Sequence, residues 1–183
     1  PRALSGFEWN WQGKIMALAA TLAIAAFPAF GWRASGLALA QKPGSLRASL
    51  PTVAVYLAIF LAIGLAFPDR NADSETIAFQ LVMPGLEEET FYRGVLLLAL
   101  ERGFTARWRF LGIEWGWGAL LSSALFGLAH AFTVRQGVPA FEPLLFAATA
   151  IPALLAVWLR LRTGSVLLPI VLHNFGNSIA FFG

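Results

Sequence analysis

Six stretches of this chain are apolar over the length of a membrane-crossing helix or close to it, at about 14–32, 50–67, 76–100, 115–134, 141–160 and 165–182. One crossing needs about 20 residues. The pattern therefore predicts an all-α fold, a polytopic membrane bundle of about six transmembrane helices. The second run is short, and Pro51 suits the first turn of a helix extended back through Leu46 and Leu50.

Charged positions fall between these runs. Arg33, Lys42 and Arg47 follow the first, and Asp69, Arg70, Asp73 and Glu75 follow the second. Glu101, Arg102, Arg107, Arg109 and Glu114 follow the third, Arg135 and Glu142 the fourth, and Arg160 with Arg162 the fifth. If the helices cross alternately, the loops after helices one, three and five carry eight Lys or Arg, while the other side carries Arg2, Lys14, Arg70 and Arg135. An excess of cations marks the cytoplasmic face. Both termini are thus expected outside the cytoplasm, in a bacterial inner membrane. Trp9, Trp11, Trp32, Trp108, Trp115, Trp117 and Trp158 all fall near run ends, the positions of an interfacial belt.

Composition sharpens this picture. Of 183 residues, 58% are hydrophobic and 13% charged, with a mean hydropathy of +0.69, against about 25% charged in a soluble domain. A single membrane-embedded domain over 1–183 is expected, with lipid as solvent for its outer faces. The net charge of +3 is scattered among loops rather than gathered on one face. That favours a lipid bilayer as partner and no nucleic acid. The absence of cysteine excludes thiol catalysis, disulfides and thiolate metal sites. The chain starts at Pro1 with no signal-peptide pattern, so a processed product or a piece of a longer protein is expected. Nothing in the pattern fixes an oligomeric state.

The third apolar run contains Pro84-Gly85-Leu86-Glu87-Glu88-Glu89-Thr90-Phe91-Tyr92-Arg93-Gly94. One charge at a helix centre costs about 2.5–3.5 kcal/mol on insertion, so three carboxylates and a guanidinium must face protein or a wet cavity. Glu89 and Arg93 stand four apart with the acid first, the favourable order for a helical ion pair, and are read as a bracing pair. Glu88 points about 100° away and can offer a free carboxylate to a cavity as general base. Pro84 and Gly85 would loosen the helix just before it.

The only histidines, His130 and His173, lie in two further apolar runs. Buried imidazoles there are expected to be functional, although either alone could be an interhelical hydrogen-bond partner. Phe126 precedes His130 by four residues and Asn177 follows His173 by four, so each pair shares a helix face. Phe126 is read as packing, Gln80, Glu87 and Asn174 as cavity polar groups, and Ser122 and Ser123 as facing neighbouring helices. Asp69 and Asp73 fall in a loop, which disfavours an aspartyl enzyme, and no Gly-x-Ser-Gly is present for a rhomboid type. A proton-coupled transporter would also carry Glu and His at mid-membrane, and a non-catalytic immunity or binding protein would keep the fold.

In order, Glu88-Glu89 to Arg93, Phe126 to His130, and His173 to Asn177 form Glu-Glu-x-x-x-Arg, Phe-x-x-x-His and His-x-x-x-Asn. This set resembles the CPBP or Abi family of CAAX prenyl proteases and bacteriocin-processing enzymes, over a core of about 76–183, with 14–67 as two additional transmembrane helices. The resemblance implies a glutamic-type intramembrane endopeptidase with its site between helices 3, 4 and 6. Glu88, helped by His130, would activate water, and His173 with Asn177 would hold the oxyanion. The implied substrate is a membrane-anchored or lipid-modified protein. No cofactor is expected; a zinc-dependent version is the alternative, although His-Glu-x-x-His is absent. His130 lies near the non-cytoplasmic end of its helix, so the cavity is expected to open there, as suits a maturation enzyme that trims membrane-anchored exported proteins rather than a prenyl-cysteine processor.

Overall fold

The computed structural model describes residues 6–183; Arg2 lies outside them. Helix α1 (Trp11–Ala26) starts where the Asn10 side chain accepts from the Gly13 amide. Helix α2 (Ser45–Ala66) starts after Gly44, whose φ of +72° suits glycine. Its start corrects the place of Pro51, which falls in the second turn rather than the first. Helix α3 (Ser74–Pro84) is capped by the Asp73 carboxylate, which accepts from Thr76 N. It runs on without a break through a π-helical stretch (Gly85–Leu96) into α4 (Leu97–Gly103).

Two hairpins follow helices of this bundle. Strands β1 (Arg107–Phe110) and β2 (Ile113–Gly116) pair antiparallel before α5 (Trp117–Ala131). Strands β3 (Phe132–Arg135) and β4 (Val138–Phe141) pair after it. The chain ends in α6 (Pro143–Thr163), α7 (Leu167–Ser178) and a 3-10 turn (Ile179–Phe182). Residues 115–116 and 132–134, expected as helix, are therefore strand. Each hairpin turns on two residues with positive φ, Leu111-Gly112 and Gln136-Gly137, the two-residue geometry that matches strand twist.

Each predicted apolar run contains a helix. Helices α2 and α6, with 22 and 21 residues, are long and apolar enough to cross a membrane. Trp11–Ala26, Trp117–Ala131 and Leu167–Phe182 are shorter apolar helices. The loops after the first, third and fifth runs meet at one end: Lys42 N donates to Thr163 O, Arg162 Nη1 to Gly112 O, and Arg102 Nη1 to Ala29 O. At the other end Asp69 N donates to Ala180 O, and Glu75 accepts from the Glu8 and Trp9 amides. The eight loop cations thus share one end of the molecule.

Two apolar clusters fix the helices, one around Leu97, Ile113, Trp115, Ala119 and Val157 and one around Tyr56, Leu159 and Leu172. Trp115 is only 8% exposed, so it belongs to the core and not to an interfacial belt. Its indole donates to Phe110 O across the first hairpin, while its ring packs in the cluster with Ala119 of α5. Gly127 lets α6 approach closely, since a Cβ there would lie 2.8 Å from Ala150 Cβ. That approach sets the depth of His130, one turn further along α5.

Candidate active site

The widened helix begins where one backbone donor is missing and the next, which bonds Val82 O, is shared with a neighbouring helix. Pro84 has no N–H to give, and the Gly85 amide donates 2.7 Å to Asn174 Oδ1 on α7. Asn174 Nδ2 donates in turn to Val82 O. A Cβ on Gly85 would sit 2.6 Å from both Asn174 Oδ1 and Ile170 O, so glycine permits this contact. The expected loosening is thus a π-helical stretch, a form that concentrates at functional sites. It carries Glu87, Glu88, Glu89 and Arg93.

Glu89 and Arg93 are each 1% exposed and form an ion pair at 3.1 Å. Glu89 does more than brace the helix, because its Oε1 lies 2.7 Å from His173 Nδ1 and anchors that ring from α7. The Arg93 guanidinium packs 4.2 Å from the centre of the Phe126 ring. Phe126 in turn packs its ring 4.4 Å from the His130 imidazole. His130 Nδ1 lies 2.8 Å from Phe126 O. A carbonyl only accepts, so Nδ1 carries a proton, and in the neutral ring Nε2 is left as an acceptor.

Both imidazoles converge on Glu88. His130 Nε2 and His173 Nε2 each lie 3.8 Å from Glu88 Oε2, too far for a direct hydrogen bond and within the reach of one bridging water. Glu88 Oε2 is buried and has no hydrogen-bond partner. The other oxygen corrects the sequence reading: the Glu88 carboxylate is not free, since Oε1 lies 2.5 Å from Lys14 Nζ. Lys14 also pairs with Glu87 Oε2 at 2.6 Å. The chain signals this partner weakly, as a lone cation near the start of an apolar helix facing a surplus of acids on another.

These groups line a cavity of about 640 Å³ that reaches Trp9 and Asn10, at the end opposite the eight cations. Tyr56, Phe60, Pro152 and Ala156 give it an apolar wall. Asn177 also lines it; it is exposed, and its Nδ2 donates 3.2 Å to Gln80 Oε1. Ser122 Oγ donates to Tyr92 O on the neighbouring helix, and Ser123 Oγ to Ala119 O of its own helix. The three groups around the 3.8 Å gap come from helices 3, 4 and 6 of the sequence count, and α1 adds a fourth. Among the described residues no group of three or more His, Cys, Asp or Glu is placed to hold a metal ion.

Residues 74–179 match the family model described as Type II CAAX prenyl endopeptidase Rce1-like. The chain belongs to this family. Rce1-like proteins are proteases, and the resemblance drawn from three short motifs is borne out. Glu88, Glu89, Arg93, Phe126, His130, His173 and Asn177 all fall within the matched residues, whereas α1 with Lys14 and α2 lie outside them. No curated protein and no solved structure matches this Rce1-like chain.

Proposed function

We propose that this chain is an intramembrane endopeptidase, a six-span bundle that hydrolyses a peptide bond of a membrane-anchored or lipid-modified protein. One observation carries the reading: a buried carboxylate oxygen without a partner, equidistant at 3.8 Å from two imidazole nitrogens, in a cavity. Glu88 Oε2 takes one proton from a water that also donates a hydrogen bond to His130 Nε2, the water oxygen adds to the scissile carbonyl, and as the C–N bond breaks the proton held by Glu88 passes to the leaving amine. His173, with Glu89 as counter-charge on its far nitrogen, donates from Nε2 to the oxyanion as charge develops. Asn177 turns its amide from Gln80 to the same oxygen. Fixed donors of this kind are worth about 3–4 kcal/mol each in the transition state. No step passes through a metal.

The cation excess puts the termini on the non-cytoplasmic side of the membrane, taken as a bacterial inner membrane, and the cavity opens toward that side. A label on Ala129→Cys, in a chain with no other cysteine, is then reached from outside. Quenching only by a cytoplasmic reagent reverses this orientation.

The reaction class is tested with the purified chain in liposomes, a lipid-modified reporter peptide and mass spectrometry of the products. Endoproteolytic cleavage, unchanged by a chelator, is the expected result. Intact peptide together with proton-driven uptake would replace the peptidase reading with a transporter.

A further inference from the structure

Helix α1 is built onto the catalytic helix by more than apolar contact. Glu75 accepts from the Glu8 and Trp9 amides and from the Trp11 indole, each at 3.1 Å. The Trp9 indole donates 2.9 Å to Thr76 Oγ1, and its ring stacks 4.8 Å from Phe79. Along α1, Thr21 and Ala25 follow Lys14 at intervals of seven and eleven residues, and both are buried. Small side chains on this stripe allow the two helices to approach closely. The fixed register delivers one ammonium, that of Lys14, to the glutamate pair.

A glutamate side chain has three rotatable bonds, and inside a cavity several rotamers would turn its carboxylate away from both imidazoles. Here Lys14 holds Oε1 at 2.5 Å while Oε2 stands 3.8 Å from each Nε2. Glu87 shares the same ammonium at 2.6 Å, so Glu88 is oriented by a cation whose charge is already divided between two acids. Such sharing holds the base in place and leaves it with negative charge to use. Displacement by about 1 Å can cost a reaction of this type about 10²-fold.

We infer that Lys14 is a positioning residue for peptide hydrolysis, and that α1, outside the family segment, belongs to the peptidase machinery. The inference rests on the reading of Glu88 as general base. Because the chain has no cysteine, it can be tested by chemical rescue within one preparation. Lys14→Cys is purified as the full chain, and half is alkylated with 2-bromoethylamine, which rebuilds a lysine-like ammonium. The other half is alkylated with iodoacetamide, which leaves the position neutral.

Lys14→Cys is expected to lower kcat by about 10²-fold with KM within about threefold, and aminoethylation to restore kcat at least about tenfold over the iodoacetamide half. Lys14→Arg should recover much of the rate as well. A kcat for Lys14→Cys within about threefold of wild type, or a fully aminoethylated chain no faster than its neutral twin, overturns the inference. Should Lys14→Cys not be recovered folded, Lys14→Met against Lys14→Arg at equal melting midpoints decides the same question. Glu88→Gln measured alongside separates the two readings. Full activity in Glu88→Gln removes the general base and Lys14's role together. An inactive Glu88→Gln with an unimpaired Lys14→Cys removes only the role of Lys14.

Discussion

At the cation-rich end of the molecule, Glu101 pairs with Arg107 at 2.8 Å and accepts from the Ala119 amide. Burial pushes the Glu101 carboxyl up from its ordinary value, and Arg107 and that amide pull it back. In the interior, Glu88 has the same kind of ion pair on one oxygen, and on the other no hydrogen bond but two imidazoles at 3.8 Å. Its neighbour Glu89, one residue along, is closed off by Arg93 and His173. Residue type and depth therefore do not separate a structural acid from a reactive one. Each of the two keeps one buried oxygen without a hydrogen bond. The difference lies in what faces it: a guanidinium at 3.1 Å for Glu89, and two imidazoles across a gap of 3.8 Å, room for one water, for Glu88.

Glu88→Gln breaks this comparison most sharply. It keeps the shape and removes the base, so kcat should fall about 10³-fold or more while the melting midpoint in detergent stays within a few degrees. Glu89→Gln should lower stability as well as kcat, since it loosens the His173 ring and uncovers the Arg93 charge at a cost of about 3–5 kcal/mol in unfolding free energy. A Glu89→Gln chain that melts like wild type would mean that the buried pair braces nothing. His130→Ala leaves Glu88 with one imidazole and should lower kcat about 10²-fold, read from initial rates on the reporter peptide.

The smallest effect belongs to the charged end. Glu101→Gln should move stability by less than about 1 kcal/mol, as partly exposed pairs do. Since folding raises this carboxyl, its contribution is fully present below the ordinary glutamate range and is lost as pH rises through the raised value. The difference in melting midpoint between wild type and Glu101→Gln should therefore change across that window and stay constant below and above it.

Much of this was legible in the chain. The six helices followed from run length, and the interior site from the rarity of ionisable residues in apolar text, since Glu88, His130 and His173 had to find partners or a function. The hairpins were hidden because Phe132, Val134 and Trp115 read as apolar continuation, and hydropathy carries no record of the positive φ at Leu111 and Gln136. Pro84 announced a loosened helix, but the contact of Asn174 on α7 with the Gly85 amide, at the start of the π-helical stretch, joins residues 89 apart and leaves no trace in the local sequence. Lys14 was hidden for a similar reason, because α1 meets the glutamates only once the chain has folded 73 and 74 residues back on itself. Trp115 was misplaced since its neighbours Leu97 and Val157 come from other helices.

The central claim is that peptide hydrolysis takes place in the gap between Glu88 Oε2 and the two imidazoles. Its most direct test is a structure of the wild-type chain bound to a peptidyl phosphinate, whose tetrahedral oxygens stand for the attacking water and the oxyanion. One phosphinate oxygen is predicted within about 3.2 Å of Glu88 Oε2 and His130 Nε2, and the other within the same reach of His173 Nε2. A phosphinate held in the cavity with all its oxygens out of hydrogen-bond reach of Glu88 would contradict the account.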